Sequence, residues 1–136
     1  MKRCLYLDTS AVLRATLETG TSPELEARIG EADVLVTSRL SLVETARAFL
    51  RARQRFDLPE ARLVAAEKDA DAVWARCNIW ELTPTVCEAA CRVAPRKALR
   101  SLDALHLATF LAARERIDGL ELLSADERLL DASGTV

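Results

Sequence analysis

Four acidic residues, Asp8, Glu44, Asp103 and Asp126, stand where a carboxylate is not simply part of a water-exposed surface. Asp8 directly follows the apolar run CLYL, and Asp103 lies in SLDALHLATF, where apolar residues recur too densely for a surface helix. Removing an ionised carboxylate from water costs several kcal/mol unless a cation or hydrogen-bond donors replace the water. These side chains therefore need partners.

A group of carboxylates can perform hydrolytic chemistry if it holds a divalent cation. Carboxylates brought close together repel one another and raise each other's pKa values unless such cations lie between them. Mg²⁺ or Mn²⁺ is the expected ion, because hard cations prefer oxygen ligands. Two such ions about 4 Å apart suit in-line displacement at a phosphodiester.

Each acid also has a purely structural explanation. Asp8 and Asp126 are suited to cap helices, and Asp103 would be favoured by the dipole of its own helix. Glu44 is spaced to pair with Arg47. Only the position of the acids in the fold separates these explanations from a shared site.

The elements that would position the acids are predicted from short apolar runs separated by helical patterns. Four runs predict strands, over 4–7, 34–36, 77–82 and 120–124. Helices are predicted after Asp8, from Pro23, over 41–53, from Pro59 to about 74, over 83–94, from Ser101 as the N-cap to about 116, and over 125–132.

This alternation is typical of an α/β domain with three α/β/α layers and a mostly parallel central sheet of four to five strands. A last edge strand would begin at Gly134 and be short. Ligands of open parallel sheets gather at the carboxyl ends of the strands, and all four acids map to that edge. The sequence therefore predicts one acidic site there.

Length and composition predict a single globular domain over residues 1–136. Half of the residues are hydrophobic and 29% are charged, which excludes a disordered chain. No apolar run is long enough to span a bilayer and no secretory signal is recognisable, so we expect a cytoplasmic protein.

The cysteines do not suggest a zinc site. Cys4, Cys77, Cys87 and Cys91 contain no CxxC pair, and the chain has one histidine, His106. We expect four reduced, packed thiols, and we expect His106 to be a packed residue outside the site.

Basic residues concentrate in two stretches. The helix predicted over 41–53 combines arginines with an apolar face formed by Leu42, Ala46, Phe49 and Leu50, and Glu44 lies off that face. The second stretch contains Arg92, Arg96, Lys97 and Arg100. Such stretches either contact phosphates or are solvated helix surfaces.

Taken together, these motifs resemble the PIN-domain ribonucleases and, within them, the VapC-type toxins of bacterial toxin–antitoxin modules. The resemblance covers essentially the whole chain. It is carried by YLDTSA (6–11), SRLSLVE (38–44), LDALHLAT (102–109) and LLSADERL (122–129), in the family's order and spacing.

The resemblance implies a PIN-like nuclease domain with Mg²⁺- or Mn²⁺-dependent endoribonuclease activity. It implies that Asp8, Glu44, Asp103 and Asp126 are the catalytic acids, and that Asp8, Asp103 and Asp126 hold the metal. Ser10 and Ser124 would orient carboxylates or metal-bound waters. Arg96, Lys97 and Arg100 are candidates to hold the RNA backbone.

The resemblance also implies partners. A small VapB-like antitoxin would cover the acidic groove, and the toxin would form a homodimer. The helical region over 44–62, which mixes arginines with apolar side chains, is a plausible surface for an amphipathic antitoxin helix.

Two other functions compete with the nuclease. The first is a phosphatase or phosphotransferase that forms an aspartyl phosphate on Asp8, although such enzymes need a second acid where Ser10 stands. The second is a PIN-like domain that binds RNA or protein without catalysis. All four acids are present, so the sequence gives no reason for lost activity.

Overall fold

The computed structural model describes residues 1–56 and 58–134. Its elements alternate as predicted, with one or two helices after each strand. In chain order they are β1 (Cys4–Leu7), α1 (Thr9–Thr16), α2 (Pro23–Glu31), β2 (Val34–Ser38), α3 (Arg39–Arg55), α4 (Glu60–Arg76), β3 (Cys77–Trp80), α5 (Pro84–Ala90), α6 (Ser101–Arg114), β4 (Leu120–Leu123) and α7 (Glu127–Ser133).

The sheet of the described residues has four parallel strands in the order β3-β2-β1-β4. The first three strands are added in one direction, and β4 then pairs on the other side of β1. In open parallel sheets, ligands bind at the carboxyl ends of the strands where the strand order reverses, which here means the ends of β1 and β4. This reversal point sets the location of the candidate site.

Helices cover both faces of the sheet, which confirms the three-layer α/β/α architecture. Alternate residues of β1 point to opposite faces, since Leu5 and Leu7 join one core cluster and Cys4 and Tyr6 join the other. The first cluster includes side chains of α1 to α4, and the second includes side chains of α6 and α7. Both faces are buried, so β1 is apolar throughout.

The edge strand predicted from Gly134 is not seen in the described residues. Gly134 is the C-cap of α7. The rest of that short strand falls on residues 135–136, outside the described part of the chain.

The apolar face predicted for α3 is partly wrong. Phe49 is buried, but Ala46 and Leu50 are exposed. The buried side of the helix instead includes two hydroxyl residues, Ser41 and Thr45. Ser41 is accommodated because its hydroxyl forms a hydrogen bond with Thr37 Oγ1 at 2.8 Å.

Two helix ends also differ from the prediction. Helix α5 ends at Ala90 instead of continuing to 94, and Ala94 adopts a left-handed conformation with φ 43°. Pro95 follows, and a residue before proline is disfavoured in the right-handed helical region. Ser101 is the first residue of α6 and does not cap it; Arg100 occupies the N-cap position.

The expectation of four packed thiols holds for Cys4, which is buried, and is wrong for Cys87 and Cys91, which are exposed. All four cysteines are free. No helix in the described ranges has the length and apolarity needed to cross a membrane.

Candidate active site

Asp8 lies at the carboxyl end of β1 and caps α1, accepting a hydrogen bond from the Ala11 backbone N–H at 3.0 Å. It is also held by two hydroxyls. Ser10 Oγ lies 2.8 and 2.9 Å from its two carboxylate oxygens, and Ser124 Oγ donates to Oδ2 at 2.7 Å. The predicted roles of Ser10 and Ser124 beside the first acid therefore have a geometric basis.

The electrostatic environment of Asp8 favours a cation. The residue is only 4% exposed, and burial raises the pKa of its carboxyl, while the hydrogen bonds from Ser124, Ser10 and Ala11 oppose that rise. In the described ranges no lysine or arginine forms an ion pair with Asp8. Its negative charge is thus held by neutral donors alone.

Glu44 approaches the same region from α3. Its Oε1 accepts hydrogen bonds from Thr9 Oγ1 at 2.7 Å and from His106 Nε2, also at 2.7 Å. Partial burial acts to raise the pKa of Glu44, but these hydrogen bonds outweigh it, and the pKa lies below its ordinary value. Glu44 is therefore held as an ionised carboxylate beside Thr9, the residue that follows Asp8.

His106 is the residue that sequence reasoning placed outside the site. It is a packed histidine, 3% exposed, but its partners are site residues: Nε2 contacts Glu44, and Nδ1 lies 3.0 Å from the Tyr6 hydroxyl. Burial, together with the charges of Asp8 and Glu44, raises the pKa of Tyr6. A usable signal was present, because His106 follows Asp103 by three residues and so shares its helix face.

Asp126 is connected to Asp8 through Ser124. Its backbone N–H donates to Ser124 Oγ at 2.9 Å, and Ser124 Oγ in turn contacts Asp8. The Asp126 side chain caps α7 by accepting from the Arg128 backbone N–H at 2.9 Å. Asp126 is thus a helix cap, as Asp8 is. Both residues also lie at the carboxyl edge of the sheet, so capping does not separate them from the candidate site.

Asp103 lies in the first turn of α6, one turn before His106. Its side chain is partly exposed, and Oδ2 lies 3.7 Å from Arg100 Nε. The predicted partner of Asp103 is therefore the exposed Arg100, and the distance between the charged groups is long for an ion pair. This contact leaves the carboxylate accessible from solvent.

The comparisons with known proteins identify the family of this chain. The family model described as PIN domain matches residues 5–134. The chain belongs to the PIN-domain family. Ribonuclease VapC45 from Mycobacterium tuberculosis (strain CDC 1551 / Oshkosh) is 38% identical over 127 residues, covering 92% of this chain and 85% of that protein. Ribonuclease VapC49 from strain ATCC 25618 / H37Rv shows the same identity and coverage.

Ribonuclease VapC46 from the H37Rv strain is 30% identical over 132 residues, covering 97% of this PIN domain and 92% of its own length. Two solved structures share the fold. PAE2754 from Pyrobaculum aerophilum has a TM-score of 0.65 at 21% identity, with 96% of this chain and 79% of that chain covered. VapC20 of M. tuberculosis, described as a sarcin-ricin loop cleaving toxin, has a TM-score of 0.57 at 22% identity, with 94% of each chain covered.

The donor chemistry of this PIN domain fits a hard divalent cation. The carboxylates and hydroxyls at the edge offer oxygen ligands, and the buried charge of Asp8 would be stabilised by a cation. Within residues 1–56 and 58–134, however, no three His, Cys, Asp or Glu side chains lie close enough together to hold a metal ion by themselves. Mg²⁺ typically takes one or two carboxylates directly and keeps several waters, so further acids at the edge would act on such an ion through water.

The basic residues before Asp103 are only partly available to a ligand. Lys97 Nζ forms an ion pair with Asp131 at 2.8 Å, whereas Arg96 and Arg100 are exposed. Two of the three candidates for contacting a phosphate backbone are thus exposed, and one of them, Arg100, is also the partner of Asp103.

Proposed function

We propose that this PIN domain is a Mg²⁺- or Mn²⁺-dependent endoribonuclease that hydrolyses RNA phosphodiester bonds, and that it is the toxin of a toxin–antitoxin pair. The observation that carries the proposal is the buried Asp8 at the point where the strand order reverses, linked by hydroxyls to the segment of Asp126. The similarity to VapC ribonucleases supports the reaction class.

In this proposal Asp8, Asp103 and Asp126 hold the metal, and Glu44 orients water at the site. A Mg²⁺ or Mn²⁺ ion held there would act as a Lewis acid and would lower the pKa of the attacking water. Ser10 and Ser124 fix the rotamer of Asp8 by donating to its oxygens. Water attacks phosphorus in line, the 3′-oxygen leaves, and the products carry a 5′-phosphate and a 3′-hydroxyl.

Arg96 and Arg100 are proposed to bind phosphates of the RNA on either side of the scissile bond. Both precede Asp103 on the exposed segment that leads into α6. Lys97 is a weaker candidate, because its ammonium group is already paired with Asp131. Contacts of this kind position the RNA without reading its bases.

The aspartyl-phosphate alternative loses support. Ser10 occupies the position where such enzymes carry a second acid, and its hydroxyl contacts both oxygens of Asp8. The non-catalytic alternative is disfavoured because Asp8 and Glu44 retain ordered hydrogen-bond partners, as a working site requires.

The reaction can be tested with purified protein and total RNA. We expect cleavage with Mn²⁺ or Mg²⁺ and loss of at least about 100-fold in rate with excess EDTA, because the ion contributes several kcal/mol to the transition state. Mapping of the cut ends should show 5′-phosphates. Undiminished cleavage in EDTA, or 2′,3′-cyclic ends, would contradict the mechanism.

The region predicted to bind the antitoxin, 44–62, contains both core and exposed apolar residues. Phe49 is 3% exposed and belongs to the core, so its truncation would damage the fold instead of testing binding. The large exposed apolar residues in or next to this region include Val43, Leu50 and Phe56, the last with 90% of its surface accessible. Arg47 lies between Val43 and Leu50 on the same side of α3.

We expect Leu50→Glu and Phe56→Ala each to weaken binding of the cognate VapB-like antitoxin by about 10-fold or more, as loss of an apolar anchor at an interface typically does. Isothermal titration calorimetry measures the effect. Val64→Glu, an exposed apolar residue on α4, is the matched control. If all three variants bind like the wild type, the antitoxin uses another surface. The homodimer and the cytoplasmic location also stay predictions.

A further inference from the structure

We propose that His106 is a positioning residue of this site, which fixes the orientation of Glu44 and the distance between the elements that carry the acids. The expected effect of His106 on catalysis rests on the proposed nuclease function, whereas its contact with Glu44 can be tested separately. It stands on a chain of buried contacts from Tyr6 through His106 to Glu44.

The imidazole of His106 is held at both nitrogens. The Tyr6 hydroxyl lies 3.0 Å from Nδ1, and Glu44 Oε1 lies 2.7 Å from Nε2, with Thr9 Oγ1 at 3.3 Å from the same nitrogen. Tyr6 is fully buried and also packs edge-on against the ring, at 6.2 Å between centroids. The ring therefore has little freedom to rotate.

For a neutral ring, these contacts favour one tautomer. A phenol at neutral pH carries its proton and can donate it to Nδ1 of the neutral ring. Nε2 must then carry the ring proton, and it donates to the carboxylate of Glu44. A buried carboxylate next to a nitrogen lone pair would be repelled, so the opposite tautomer is disfavoured on this geometry.

The consequence falls on the free oxygen of Glu44. Both observed donors, Thr9 and His106, bind Oε1, and no hydrogen bond in the described part of the chain involves Oε2. Glu44 is thus anchored by one oxygen and presents the other to a water or cation. Partners of this kind orient ligands and typically affect metal affinity or activity by 10- to 100-fold when they are lost.

His106 also connects three parts of the chain that are distant in sequence. It lies on α6 with Asp103, contacts α3 at Glu44, and contacts residues 6 and 9 on either side of Asp8. Fixing this single ring therefore fixes the relative positions of Asp8, Glu44 and Asp103. Among the described residues, no other side chain forms hydrogen bonds to both Glu44 and Tyr6.

The first test uses the fact that His106 is the one histidine of the chain. In protein labelled with ¹⁵N-histidine, long-range ¹H–¹⁵N spectra contain a single imidazole, and they report which of its two nitrogens carries a proton. We expect the Nε2–H tautomer in the wild type. An Nδ1–H tautomer would overturn the proposal, since Nε2 could not then donate to Glu44.

The second test separates the two ends of the ring. The amide nitrogen of His106→Gln reaches about as far as Nε2 and can donate to Glu44, whereas that of His106→Asn reaches only about as far as Nδ1. We expect His106→Asn to weaken Mn²⁺ binding and to lower kcat by about 10- to 100-fold, and His106→Gln to recover most of both losses. Mn²⁺ affinity is measured by electron paramagnetic resonance and kcat with an RNA substrate.

If His106→Asn and His106→Gln have the same Mn²⁺ affinity and the same kcat, whether both normal or both impaired, the positioning role of His106 is wrong. Melting curves for both verify that they fold, and the wild-type spectrum decides the tautomer in any case. A wild type that shows the Nε2–H tautomer but does not cleave RNA would contradict the proposed function and leave the contact between His106 and Glu44 standing.

Discussion

Replacement of Asp8 by asparagine is expected to lower the rate of RNA cleavage by about 100- to 1000-fold while making the protein more stable at neutral pH. The loss of rate follows from the loss of a charged metal ligand, which contributes several kcal/mol to the transition state. Asparagine keeps an oxygen that can accept from the Ala11 N–H, so the cap of α1 survives.

The gain in stability follows from the direction of the pKa shift. Burial raises the pKa of Asp8 above the ordinary value of 3.8, so the folded state binds the proton more tightly than the unfolded state does. This contribution to stability is complete below about pH 4 and is lost as pH rises through the folded pKa. The Asp8→Asn variant avoids that loss, and the difference in melting temperature should therefore grow from about pH 4 to about pH 7.

Calorimetric melting in EDTA measures this difference, and Asp118→Asn is the control, because it makes the same change at an exposed residue before β4. Mn²⁺ should raise the melting temperature of the wild type and of Asp118→Asn but not of Asp8→Asn. If Asp8→Asn melts below the wild type at pH 7, or responds to Mn²⁺ as the wild type does, Asp8 is a structural cap and not a ligand.

The order of strands and helices was predictable because local patterns determine it. CLYL is an apolar run and LELL a largely apolar one, and each is followed by a polar residue. Pro23 marks a helix start that the structure confirms. Parallel strands place their carboxyl ends at one edge, so Asp8 and the segment of Asp126 could be assigned to a common site.

The internal contacts of the site were not predictable in the same way. Thr9 and Glu44 are separated by 35 residues, and Glu44 and His106 by 62. Which histidine nitrogen meets which oxygen depends on how α3 and α6 pack on the sheet, and no periodic pattern contains that information. The burial of Ser41 and Thr45 was missed for a related reason. A prediction based on residue polarity assigns Ala46 and Leu50 to the core in preference to hydroxyl residues, whereas the structure exposes both of them.

Asp8 and Glu44 thus illustrate two ways of holding a carboxylate at the same edge. Asp8 is buried among neutral donors and its pKa is raised, whereas Glu44 is less buried, receives two short hydrogen bonds on one oxygen, and its pKa is lowered. The first is a hydrogen-bonded but buried charge that a cation would stabilise. The second is already stabilised by the protein, which suits an acid that orients water.

Glu44→Gln is therefore expected to have the opposite effect on stability. Because the folded pKa of Glu44 lies below 4.5, its ionised form stabilises the protein above about pH 4.5, and that stability is lost as pH falls through the folded pKa. The variant should melt below the wild type at pH 7 in EDTA, with the gap closing towards pH 3. We expect cleavage to fall by about 10- to 100-fold, because glutamine can still accept from Thr9 and His106 but brings no charge.

Glu88→Gln is the matched control for Glu44→Gln, since Glu88 is an exposed acid beyond the first turn of α5 and has no ion pair in the described part of the chain. It should change neither cleavage nor the pH dependence of melting. A Glu44→Gln variant that melts above the wild type at pH 7 would mean that His106 and Thr9 do not stabilise the carboxylate. Asp8 and Glu44 would then be equivalent sites of buried charge, and the division of roles between metal ligand and water-orienting acid would have no physical basis.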